Sequence, residues 1–139
     1  MKEVRNLIYQ QHDPYMHVDM FPEEVHGWDS TSPAFLEVIE KLNPRLIIEV
    51  GSWKGGSAIH MAELMKQRTD NFEIVCVDTW LGSVEHWDGT AAGLGWHDDL
   101  EMGRPTIYQQ FMSNIIHKGW TDYITPFPID SINAAEFFN

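Results

Sequence analysis

The apolar residues change their spacing several times along the chain, and each change marks an element. Phe35, Val38, Ile39 and Leu42 recur at helical spacing behind Ser30, Ser32 and Pro33. That pattern predicts a helix with a capping serine and a proline in its first turn, stopped by Asn43 and Pro44. Leu46, Ile47, Ile48 and Val50 then form a nearly continuous apolar run broken only by Glu49, the pattern of a central parallel strand covered on both faces. Gly51, Gly55 and Gly56 come next, and Ala58, Met61, Ala62 and Met65 return to helical spacing, so the strand turns sharply through glycines into a helix. Phe72 to Val77 is a second strand, ending in Asp78. A crossover of helical length makes the two strands parallel neighbours.

The remaining segments are less regular. Residues 1–29 hold Pro14, Pro22 and Gly27 without a sustained period, which predicts a short helix followed by an irregular arm. Residues 30–139 are taken as one partial domain. Thr79 to Pro105, rich in glycine, tryptophan and charge, is expected to be a long loop over one rim of the sheet. Ile107, Tyr108, Phe111, Met112, Ile115 and Ile116 predict a strongly amphipathic helix ended by Gly119. A last strand is expected near Tyr123 to Ile129. Its Pro126 and Pro128 remove two ladder donors and favour an edge position. Asp130 and Ser131 then open a further helix. The expected fold class is α/β, a Rossmann-like parallel sheet with flanking helices, of which only the N-terminal half of the doubly wound arrangement is present.

Composition narrows the function. Twenty-one acidic residues against nine basic ones give a formal charge of -12, which repels phosphate backbones and anionic lipid, so neither nucleic acid nor membrane is an expected partner. Cys76 is the sole cysteine, which rules out an intrachain disulfide and suits a reducing, cytoplasmic setting. His86, Asp88, His97, Asp98 and Asp99 match no compact metal spacing, and no metal is expected.

The chemistry concentrates in Glu49-Val50-Gly51-Ser52-Trp53-Lys54-Gly55-Gly56-Ser57. Glycines admit a ligand close to the backbone, and amides opening a helix favour an anionic group such as a carboxylate. Glu49 is suited to a ligand ammonium, and Asp78 to both hydroxyls of a ribose. The loop has neither the Walker order nor the dinucleotide fingerprint. A tight strand-to-helix turn without a ligand is the alternative.

With Val77-Asp78-Thr79-Trp80-Leu81-Gly82-Ser83 and Asp130-Ser131 added, the sequence resembles the class I S-adenosylmethionine-dependent methyltransferases. It is most similar to the small-molecule branch that includes macrocin and cephalosporin-hydroxylase-like proteins. The resemblance implies S-adenosyl-L-methionine as cofactor, with Glu49, Gly51 and Gly55 around its methionine part and Ser57 fixing the loop. It implies Asp78 on the ribose, Asp130 and Ser131 near the adenine, and Trp80 either covering the base or buried beneath the long loop. Family members continue into a further half of the fold, so a truncated domain completed by self-association, most simply a homodimer, is expected. Two functions stay open: methyl transfer to a small-molecule acceptor, and a nucleoside-binding or structural module without turnover. The sequence assigns no catalytic residue.

Overall fold

In the computed structural model, which describes residues 2–87 and 100–139, a parallel sheet carries helices on both faces. The elements run α1 (Glu3–Tyr9), α2 (Pro33–Leu42), β1 (Leu46–Val50), α3 (Gly56–Lys66), β2 (Glu73–Asp78), α4 (Val84–Trp87), β3 (Leu100–Glu101), β4 (Arg104–Pro105), α5 (Ile107–His117), β5 (Ile124–Pro128) and α6 (Ser131–Phe137). The main sheet has the order β1-β2-β5, and both pairings are parallel. This is the strand order of the first half of a doubly wound fold. The predicted fold class is the one observed.

Strand β2 is the central strand and is buried from Glu73 to Val77. Its continuous apolar run is what a strand covered on both faces requires. The same reading placed β1 centrally, and there the structure differs. Among the described residues β1 pairs with β2 alone, and Leu46, Ile48 and Val50 remain 38%, 43% and 63% exposed. An apolar run records that a strand wants cover, not which neighbour supplies it. Strand β5 lies at the opposite edge, where Pro126 and Pro128 cost the ladder least.

Two apolar layers result. On one face α3 and α5 pack Ala58, Ala62, Met65, Phe111 and Ile115 around Ile74, Cys76 and Ile124. On the other, Val4 and Ala134 pack with Val75, Val77 and Phe127. Ser32 and Asn43 bound α2 as expected, although Ser32 makes no side-chain capping bond. The expected long loop between Thr79 and Pro105 contains the short helix α4 and an antiparallel pair, β3 with β4. Met102 and Gly103 connect that pair, both at positive φ, as a two-residue hairpin turn requires. Asp88, Trp96, His97, Asp98 and Asp99 lie outside the described residues. No described helix is long and apolar enough to cross a membrane.

The leading helix is fastened by a buried carboxylate. Glu73, 1% exposed, accepts from the amides of Val4 (3.2 Å) and Arg5 (2.8 Å) and from the Thr125 hydroxyl (3.0 Å). Those amides open α1, where the helix dipole favours a negative charge. Arg5, itself buried, donates through Nε to Thr125 Oγ1 at 3.1 Å and through its guanidinium to the Ile124 carbonyl. Removing one member leaves the others desolvated and unpaired. Glu73→Ala is therefore expected to lower unfolding free energy in urea by about 3 kcal/mol, with Glu73→Gln retaining part of it. A loss below about 0.5 kcal/mol, the range of an ordinary surface change, would show that this contact does not hold α1 to the sheet.

Candidate functional site

Parallel strands joined by one crossover bring their carboxyl ends to a single rim. Glu49 and Asp78 both sit there, Glu49 aligned with Cys76 across the ladder and Val50 with Val77. The Gly51 amide continues that ladder to the Val77 carbonyl at 2.9 Å.

Asp78 organises the loop. Its Oδ2 accepts from the amides of Ser52 (2.9 Å) and Trp53 (3.0 Å), and its Oδ1 from the Trp80 amide (2.8 Å). Trp53 and Trp80 are both at positive φ, 49° and 50°. For a bulky L-residue that conformation costs about 1–2 kcal/mol. Charge-assisted bonds from a carboxylate, each worth about 1.5–3 kcal/mol, offset it. The Trp80 indole Nε1 also donates to the Trp53 carbonyl at 2.8 Å, so two strained turns brace each other. A carboxylate has about four acceptor positions. With these three contacts made, Oδ1 retains room for one further donor, where the sequence reading had expected two.

Glu49 is half-buried and held from below. Ser57 Oγ donates to Oε1, and Cys76 Sγ donates to Oε2 at 3.6 Å. Burial, then the nearby Glu49 charge, pushes the Cys76 thiol well up, so it stays protonated and remains a donor. Both Glu49 oxygens keep acceptor capacity for a cationic group.

The glycines divide their work. A Cβ on Gly51 would meet nothing within 4 Å, so this turn, at φ +84°, faces open space. A Cβ on Gly55 would meet Phe111 at 3.1 Å and Ile115 at 3.3 Å. Gly55, expected beside the ligand, is the point where the loop packs closely on α5, and its φ of +87° adds a second demand for glycine.

Trp80 is 3% exposed, its ring against Tyr108 and Phe111 at 4.8 Å each. Of its two readings, the buried one describes its packing. Asp130 caps α6, accepting from the amides of Ile132 (3.1 Å) and Asn133 (3.0 Å). The Asn133 bonds hold its carboxyl below the usual range. Asp130 and exposed Ser131 follow Pro128, which aligns with Asp78, so they share its rim. Tyr9 and Tyr15 of the leading arm donate to the carbonyls of Pro126 and Ile124, each at 2.8 Å. The arm folds back, and these tyrosines fasten it to β5. Among the described residues no group of three His, Cys, Asp or Glu side chains could hold a metal.

Sequence reasoning missed Asn114. Fully buried on α5, it accepts through Oδ1 from the Glu24 amide (2.9 Å) and Gln110 (3.0 Å). Through Nδ2 it donates to the carbonyls of Glu24 (2.8 Å) and Lys54 (2.9 Å). The buried Lys54 ammonium meets Glu24 Oε1 at 2.9 Å. The leading arm is thus clamped to the glycine loop. Gln110 and Asn114, polar residues one turn apart on an otherwise apolar helix face, were the available signal.

This geometry defines a class: a partial Rossmann-like α/β fold with a glycine loop and two acidic strand ends on one rim, as in methyltransferases. Within that class, residues 26–87 match the rhamnosyl O-methyltransferase/CmcI family. Curated relatives include the rhamnosyl O-methyltransferases of Mycobacterium tuberculosis and Mycobacterium bovis, each 36% identical over 56 residues. Those residues are 39% of this chain and 23% of each relative, so the match spans about a quarter of the relatives' length. The family match over residues 26–87 includes the loop, Glu49 and Asp78.

If Gly55 is a packing position and Gly51 a ligand-facing one, the two respond differently to a methyl group. Gly55→Ala is expected to cost about 2–3 kcal/mol of stability from overpacking and φ strain together, and Gly51→Ala about 1 kcal/mol from strain alone. Chemical denaturation of both variants measures this. Equal losses would contradict the division.

Proposed function

We propose that the chain binds S-adenosyl-L-methionine on this rim and that the bound cofactor serves methyl transfer to a small hydroxylated molecule. The observation that carries the reading is the convergence of Glu49, the open Gly51 turn and Asp78 at adjacent parallel strand ends. The donor and acceptor types fit the group. Glu49 keeps acceptor capacity for an ammonium, and the backbone at Gly51 admits close approach of a carboxylate. Asp78 Oδ1 suits one ribose hydroxyl, and Asp130 and Ser131 border the base end. The bound cofactor would supply an electrophilic methyl on a sulfonium. The protein's part is to fix the loop in advance, through Asp78 and the Asn114 clamp, and to hold an acceptor in line. The relatives' name specifies a rhamnosyl oxygen, which makes a sugar hydroxyl the first acceptor class to test.

Asp78→Ala is expected to weaken binding of S-adenosylhomocysteine, the demethylated cofactor, at least tenfold, or about 1.4 kcal/mol. It removes a ribose acceptor and frees three loop amides together. Asp19→Ala, on the exposed arm, should stay within twofold. Titration calorimetry reads both, and comparable losses would remove Asp78 from the site. Acceptor-dependent release of S-adenosylhomocysteine from a rhamnosyl glycoside then tests transfer itself. Saturable binding without release would support the nucleoside-binding module instead.

A further inference from the structure

His86 is buried in α4, beyond the Asp78 turn, and its ring is held from three sides. Its Nδ1 takes the Ser83 amide at 2.9 Å, with the Ser83 hydroxyl at the same distance, while the His86 amide donates to the Ser83 carbonyl at 3.0 Å. This is the returning half of a capping box, in which a side chain of the first helical turn reaches back to the amide before the helix. An imidazole stands where glutamate or glutamine is usual. A backbone N–H can only donate, so Nδ1 carries no proton and the ring proton is on Nε2. Gly82, at φ +72°, lies against the same ring, and a Cβ there would meet Nδ1 at 3.2 Å. The third contact leaves the element. The ring stacks on the Trp53 indole of the glycine loop, with centroids 4.7 Å apart and planes tilted by 35°.

A glutamate would cap α4 equally well and could not stack. A phenylalanine would stack and leave the Ser83 amide without this acceptor. The imidazole does both, which ties α4 to the glycine loop. Four residues are too few for a helix to hold its own shape, so the place of α4 depends on such contacts. Trp53 stands at φ 49°, its amide on Asp78 and its carbonyl under the Trp80 indole. Those bonds hold its backbone, and the His86 ring bears on its side chain. We propose that His86 is a positioning residue for this loop. Oriented by Ser83, the neutral imidazole holds the Trp53 turn, and with it the Ser52 and Trp53 amides, in the form that receives the cofactor. The consequence for binding rests on the proposed cofactor site, whereas the consequence for loop order does not.

Hydrogen exchange on the free full chain reads loop order directly. In His86→Ala the Ser52 and Trp53 amides are expected to exchange about tenfold faster. The core amide of Ile74, bonded to the Tyr123 carbonyl at 2.8 Å, is expected to stay within about twofold. A uniform rise, or none, would overturn the positioning role. His86→Asn keeps an acceptor for Ser83 and His86→Phe keeps the stacking face, so each is expected to recover part of the protection. If either does no better than His86→Ala, the double role fails. Ring-nitrogen NMR of labelled histidine is expected to show the His86 Nδ1 unprotonated, with the signal assigned by its loss in His86→Asn, and a protonated Nδ1 would contradict the capping geometry. S-adenosylhomocysteine is expected to bind His86→Ala about tenfold more weakly than wild type, with the other two variants between. If it fails to bind the wild type, the functional reading falls, while exchange and NMR still decide the positioning of the loop. If it binds wild type and His86→Ala alike, His86 does not position the loop for the cofactor.

Discussion

The architecture of the rim depends on one carboxylate. Asp78 ends the central strand and takes the amides of Ser52, Trp53 and Trp80, so a single buried-edge anion joins the turn after β1 to the turn after β2. Two of those amides belong to tryptophans held at positive φ. Without the carboxylate, three loop amides lose their acceptor and the two turns are left to the Gly51–Val77, Gly55–Ser52 and Trp80–Trp53 bonds. A site formed this way is ordered before any ligand arrives, which reduces the conformational entropy that binding must overcome.

Around that anchor the protein layers further restraints. Glu49 is steadied by Ser57 and by the Cys76 thiol, and Gly55 lets α5 approach closely. Asn114 fastens both the loop and the leading arm to α5. The arm is therefore part of the rim's support rather than a tail. Its own anchorage runs through Glu73, Arg5 and Thr125 on the far face of the sheet, so both layers bear on the same three strands.

Much of this was legible in the sequence because it is local. The glycine turn, the parallel β1–β2 unit, the α5 periodicity and the edge placement of a strand with two prolines each follow from residues within one or two elements. What was not legible is what depends on partners far along the chain. Leu46–Val50 reads as a covered central strand, yet its cover is a matter of what lies beside it. Gly55 is expected beside the ligand from the loop pattern, and that Phe111 and Ile115 also pack closely against it is visible only in the fold. Asn114 spans 90 residues to reach Glu24, and no short pattern announces such a contact. Asp78 shows the same limit: its type and position raise the expectation of a ribose acceptor, but only the fold reveals that loop amides take most of its capacity.

The central claim is that this rim is a cofactor site. A crystal structure of the full chain grown with S-adenosylhomocysteine tests it most directly. The account predicts density with the amino-acid end at Glu49 and Gly51 and a ribose hydroxyl on Asp78 Oδ1, with the Ser52, Trp53 and Trp80 amides unmoved. Ligand bound elsewhere, or a rim empty at saturating ligand, would contradict it.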